Sequence, residues 1–189
     1  MRPFSRESLL YWWAQTLLFF GANRQALPLL EEVVALNPAR HEAWNVLGYL
    51  HAQNGELRPA IAAFDRALAA HPDDAALAFN AGFTLQRAGE HARAMTLMRR
   101  VIALDPKFDR AWYGLGLSLA HDGRYEEAAL KFREAARLQP LNPYAGYHLA
   151  AVLHRLGRRD EVLAEYERVK GFDPKISALM RREFGISED

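Results

Sequence analysis

AWNVLGYLHAQNGELRPAIAAFDRALAAHP, residues 43–72, carries a spaced set of residues that decides the fold: Trp44, Leu47, Gly48, Gly55, Ala60, Phe64, Ala67 and Pro72. The set returns at a fixed interval of 34 residues. Gly55 recurs as Gly21, Gly89, Gly123 and Gly157, and Pro72 recurs as Pro38, Pro106, Pro140 and Pro174, with no register error. Two columns in phase over the whole chain mean a repeated structural unit. The glycine marks a left-handed turn ending one helix. The proline closes a second, because it lacks the N–H and disfavours helix in the residue before it. Asp74, Asp109 and Asn142 are placed to cap the next helix, and Pro143 suits a first helical position.

Small residues at Gly48, Gly82 and Gly116, with Ala14 and Ala150 in the outer units, are expected to face Ala60, Ala94, Ala128, Ala26 and Val162, so that the two helices of a unit approach closely. Trp44, Trp112, Leu47, Leu115, Phe64 and Phe132 read as core, with Leu30, Met98 and Tyr166 in the Phe64 column. In the first unit the same phase puts Leu10 at the Trp position, Trp13 at the Leu position and Ala14 at the Gly position. Pro28 falls inside the second helix of that unit and is expected to remove a backbone hydrogen bond and bend it.

The order Trp-x2-Leu-Gly, then Ala-x3-Phe and Pro, resembles the tetratricopeptide repeat. The resemblance implies an all-α fold, a right-handed α-solenoid of helix-turn-helix units. Residues 1–176 would form a single array with repeats at about 7–40, 41–74, 75–108, 109–142 and 143–176, and residues 177–189 a C-terminal capping helix and tail. In that helix Ile176, Leu179, Met180 and Phe184 share one face, and Gly185 with the polar end suggests a helix stop and a frayed tail.

Composition narrows the function. With 24 basic and 23 acidic residues, a net charge of +1, the chain lacks the basic footprint expected of a nucleic-acid binder. It contains no cysteine, which excludes disulfides, thiolate metal sites and cysteine nucleophiles. The seven histidines are scattered, with His148 and His154 six apart rather than four, and no metal or cofactor is expected. Neither a nucleophile elbow nor a phosphate-binding glycine loop is present. The chain therefore reads as non-enzymatic, and its arginine-rich, lysine-poor balance is of a bacterial kind.

The N-terminal stretch supports two readings, since Arg2 and Arg6 precede an apolar run from Leu9 to Ala22. As a targeting segment it would place the chain at the inner membrane or in the periplasm. Its 14 residues fall short of the roughly 20 needed to span a bilayer, and no clean cleavage site follows. The repeat phase favours a first repeat helix and a cytoplasmic protein. That helix is apolar nearly all round. Leu9, Tyr11, Trp12, Leu18 and Phe19 exceed what packing needs, and Leu9, Trp12, Leu18 and Phe19 are candidates for contact with a second copy, a membrane surface or a partner.

The resemblance also implies where another protein would bind, on the face built by the first helix of each repeat. Three columns line it: Tyr11, Asn45, Phe79, Tyr113 and Tyr147; then Gln15, Tyr49, Phe83, Leu117 and Ala151; then Phe19, Gln53, Arg87, His121 and Arg155. Relatives usually carry a polar residue in the second column, so Tyr49, Phe83 and Leu117 imply an apolar groove, with tyrosine hydroxyls, Asn45 or Asn80 orienting an extended or helical segment of the partner. The lysine and arginine clamp of carboxylate-binding relatives is not reproduced. The expected partner-binding residues are thus Tyr11, Asn45, Tyr49, Phe79, Asn80, Phe83, Arg87, Tyr113, Leu117, His121 and Tyr147.

Overall fold

The structure, a computed structural model, describes residues 5–187. Arg2, the first basic residue of the targeting reading, and the last two residues of the expected tail lie outside them. The described residues contain eleven α-helices and no strand: α1 (Arg6–Phe19), α2 (Asn23–Leu36), α3 (His41–Gln53), α4 (Leu57–Ala70), α5 (Ala75–Arg87), α6 (His91–Leu104), α7 (Asp109–His121), α8 (Tyr125–Leu138), α9 (Pro143–Arg155), α10 (Arg159–Lys170) and α11 (Pro174–Phe184). The expected all-α, helical-hairpin architecture is therefore the observed one. The chain divides between Glu90 and His91 into two compact units, one holding α1–α5 and the other α6–α11.

Each hairpin turns on its column glycine. Gly21, Gly55, Gly89, Gly123 and Gly157 all have φ between +72° and +81°, which a side chain rarely tolerates. Behind Gly55 the chain folds back on itself, with Gly55 N–H donating to the Ala52 carbonyl and Glu56 N–H to that of His51. These bonds satisfy the last carbonyls of α3.

Within a hairpin, the atoms nearest to Gly48 and Gly116 are those of a phenylalanine ring. A Cβ on Gly48 would lie 2.7 Å from Cδ1 and Cε1 of Phe64, and one on Gly116 would lie 2.7 Å from Cε1 of Phe132. The absent side chain thus makes room for a ring. Phe64 is 1% exposed and Phe132 fully buried. In the first hairpin the same two positions hold Ala14 and Leu30, both fully buried, so a slightly larger residue on one helix meets a smaller one on the other.

Several expectations need correction. Trp44 and Trp112 are only half-buried. Each sits over the preceding turn and donates its indole N–H to a column proline, Trp44 to the Pro38 carbonyl at 3.0 Å and Trp112 to that of Pro106 at 2.9 Å. Asp109 is not a cap: Phe108 holds that position and makes no side-chain cap bond. Asp74 and Asn142 do cap, accepting from Leu77 and Tyr144 N–H. Trp13, although at the Leu position, is 55% exposed, whereas its equivalent Leu47 is 2% exposed against α2. Tyr11 and Leu18 are not surplus, because both pack on the core that includes Ala14, Leu30 and Leu47. Pro28 is exposed and lies within the helical span of α2, which runs on to Leu36.

In the second unit α11 packs on α9 and α10 through Met180 and Phe184. Its end is not simply frayed. Gly185 is left-handed (φ +62°), Ile186 N–H returns to the Arg181 carbonyl, and the Ile186 side chain is buried.

Candidate functional site

In the first unit α3 and α5 lie side by side and present their second-column residues outward. Tyr49 is 50% and Phe83 49% exposed, large rings that the fold leaves partly open. Phe83 stacks on Phe79 one turn earlier, with ring centroids 6.3 Å apart and planes 16° apart. Stacking on the same helix restricts both rings before any ligand arrives. Asn45 and Asn80 are half-buried beside this strip.

A polar edge runs along the C-terminal ends of the two helices. Gln53 Nε2 donates to the Tyr49 hydroxyl at 2.7 Å, and Gln53 Oε1 accepts from Asn23 Nδ2 at 3.2 Å. Arg87 Nη1 donates to the Ala52 carbonyl at 2.8 Å, tying α5 to α3. The Tyr49 hydroxyl thereby accepts one hydrogen bond and keeps its own proton to donate. The strip combines apolar area with oriented polar groups.

Tyr11 and Gln15, the corresponding residues of α1, line a cleft of ≈ 570 Å³ with Ser8, Leu9, Trp12 and Arg40. The Arg40 guanidinium lies 4.0 Å from the centre of the Tyr11 ring and pairs with Glu7 at 2.6 Å. Burial pushes the Tyr11 hydroxyl above its ordinary pKa, with nearby Arg40 acting in the opposite direction.

The second unit uses its equivalent residues differently. Tyr113 is half-buried between Phe132 and His148, at centroid distances of 5.8 and 5.5 Å, and burial raises its hydroxyl pKa. Tyr147 donates its hydroxyl to Glu183 of α11 at 2.5 Å and packs on Phe184. The Glu183 bond, then burial, raises its pKa. His148 is enclosed by Tyr113, Phe132 and Tyr147, and burial holds its imidazole below the ordinary pKa. Leu117 is half-buried, and His121 stacks on His91 at 3.8 Å.

Of the expected binding residues, then, Tyr49, Phe79, Phe83, Asn45, Asn80 and Arg87 gather on one face of the first unit. Tyr113 and Tyr147 instead join the packing of the second. Sequence reasoning missed Asn23, which lies at the start of α2 outside the three columns, and passed over Gln53, which was in the third column but not among the chosen residues. A Tyr and Gln four apart on one helix are hydrogen-bonding neighbours, a signal that was available. Among the described residues no cluster of three metal-ligating side chains occurs, and no helix is long and apolar enough to cross a membrane.

Comparison with known proteins agrees with the helical-hairpin fold. The profile of the tetratricopeptide repeat family matches residues 11–75, 53–107 and 79–143. No curated protein matches in sequence. Among solved structures, a MamA RS-1 double mutant aligns with a TM-score of 0.84 at 22% identity, covering 91% of this chain and 97% of that one. MamA 41-end from Desulfovibrio magneticus RS-1 aligns at 0.78 and 23% identity, covering 95% and 98%. YrrB, described as a TPR protein with an unusual peptide-binding site, aligns at 0.82 and 18% identity, covering 92% and 90%. At these identities the structural likeness speaks for the fold, and the profile speaks for the family. The chain belongs to the tetratricopeptide repeat family.

Proposed function

We propose that the chain is a non-catalytic binding module, an adaptor, assembly factor or chaperone, that holds an extended or helical segment of another protein against the α3 and α5 face. The observation that carries the reading is the pair of open rings, Tyr49 and Phe83, beside a hydrogen-bonded polar edge. A protein-interaction role is the general property of the family, and the peptide-binding site ascribed to YrrB gives the reading a precedent on a similar fold. Half-open rings of this size leave about 100 Å2 each for a partner to cover, about 2.5 kcal/mol apiece before the costs of association. The ligand's apolar side chains would sit on Tyr49 and Phe83, while its backbone would meet the Tyr49 hydroxyl, Asn45 and Asn80. The test is a peptide selected on the wild-type chain from a random library, assayed against Tyr49→Ala combined with Phe83→Ala. Affinity is expected to fall about 30-fold or more, with circular dichroism and melting unchanged. Undiminished binding to the double variant would sink the assignment.

A further inference from the structure

A second apolar surface lies on α1, on the arc turned away from α2. Leu9, Trp12, Trp13, Phe19 and Phe20 are 49, 61, 55, 84 and 77% exposed. Together with Thr16 they follow the spacing i, i+3, i+4, i+7, i+10 and i+11, which places the five helical ones within roughly 120° of the helix circumference, with Phe20 the cap residue that follows them. This is the pattern of a helix seam, with large residues where a facing helix inserts its own. The opposite arc, with Leu10, Ala14, Leu17 and Leu18, is used up in the packing against α2. In α3 the residues equivalent to Leu9 and Trp13 are Ala43 and Leu47, buried in the same core as Val33 and Val34 of α2. The Leu9 and Trp13 part of this surface is thus the part that α2 covers in the next hairpin, whereas Gln53 and Asn54, the equivalents of Phe19 and Phe20, stay exposed there.

Area and charge argue for what covers it. With side-chain areas of roughly 150–250 Å2 per aromatic, the exposed fractions leave about 600 Å2 of apolar surface, the upper end of what a monomer normally shows. Two such faces give about 1,200 Å2, the lower bound of a stable specific interface. From Ser8 to Gly21 the chain has no charged residue. Among the described residues, two of the flanking cations are paired, Arg6 with Glu32 at 2.5 Å and Arg40 with Glu7 at 2.6 Å. An anionic membrane surface would call for free cations on this rim, whereas a second uncharged arc does not.

We propose that this arc is the seam of a homodimer in which α1 of two copies pack antiparallel across a two-fold axis. The sequence of the arc is complementary to its own reverse. Leu9 meets Phe20 of the partner subunit, and the large Trp13 meets the small Thr16 of the partner subunit. Antiparallel helices also set opposite dipole ends together. The surface is separate from Tyr49 and Phe83, so the proposal stands or falls independently of the partner-binding reading.

Because the chain has no cysteine, introduced thiols report the arrangement without interference. Light scattering on the eluting full-length chain is expected to give twice the monomer mass. Trp13→Glu with Phe20→Glu is expected to weaken dimerisation more than about 30-fold, the loss of at least one hot-spot residue, with unchanged circular dichroism. Leu9→Cys and Phe20→Cys, mixed and oxidised, are expected to give a disulfide-linked dimer that neither forms alone. A wild-type chain that stays monomeric, a dimer indifferent to the glutamates, or a linked dimer of Leu9→Cys by itself each overturns the proposal. So does flotation of a monomeric wild-type chain with phosphatidylcholine–phosphatidylglycerol vesicles that the glutamates abolish, which would assign the arc to lipid.

Discussion

Replacing Gly48 by Ala adds one methyl group, and the structure says where it goes. The new Cβ would stand 2.7 Å from Cδ1 and Cε1 of Phe64 and 2.9 Å from its Cγ. Carbon atoms in good contact are about 3.5–4.0 Å apart, so the ring must retreat by close to 1 Å. It has little room, being 1% exposed in the hairpin core. Overpacking of this size costs about 1–3 kcal/mol. Phe64→Leu alone should cost about 1–2 kcal/mol, less than the ~3–5 kcal/mol of a Phe→Ala cavity because Leu fills part of the space. The combination recreates the Ala14 and Leu30 pair of the first hairpin, both fully buried. The double variant should therefore be less destabilised than the sum of the single ones by about 1 kcal/mol or more, within the range seen for contacting residues. Urea unfolding of the four proteins, followed by far-UV circular dichroism, measures the cycle. Additivity within about 0.5 kcal/mol would refute the claim that Gly48 exists to admit the Phe64 ring.

Two further perturbations follow from the same geometry. Trp44→Phe keeps an aromatic body and removes the indole N–H that the Pro38 carbonyl accepts. It should cost about 0.5–1.5 kcal/mol in urea unfolding, and a loss of ~3–5 kcal/mol would show that Trp44 is a core residue after all. His148 is held neutral by burial, so its folded pKa lies below the ordinary imidazole value of about 6.5. Below that pH the unfolded chain takes up a proton that the folded chain resists, so His148 costs stability as pH falls and contributes nothing above about pH 7.5. His148→Phe should flatten the urea midpoint between pH 7.5 and 5.5 relative to wild type, and equal slopes would show that the imidazole titrates freely.

Much of the fold was legible in the sequence because the repeat interval is itself a structural constraint. The Gly55 column requires positive φ and finds it in all five hairpins. The same interval could have prevented one error: counting 34 from Asp74 reaches Phe108, the residue that holds the cap position, and Asp109 is one step beyond. What the interval cannot carry is the difference between repeats. Tyr113 and Asn45 share a column, but Tyr113 leans on His148, whereas the corresponding neighbour of Asn45 is the ringless Asn80. Tyr147 likewise depends on Glu183 and Phe184 of α11, which is not a member of the columns. Exposure along these columns is therefore set by contacts between helices, and one-column reading treats open and occupied rings alike. Trp13 shows the reverse case. It stands at a core position but lacks, in this structure, the covering helix that α2 supplies to Leu47.

The central claim, that the α3 and α5 face holds a partner's segment, is tested most directly by mapping a library-selected peptide onto the isotope-labelled chain by NMR. The account predicts that shifts concentrate at Asn45, Tyr49, Gln53, Phe79, Phe83 and Arg87. Shifts confined to α2 and α4, or to the second unit, with the signals of Tyr49 and Phe83 unmoved at saturation, would contradict it.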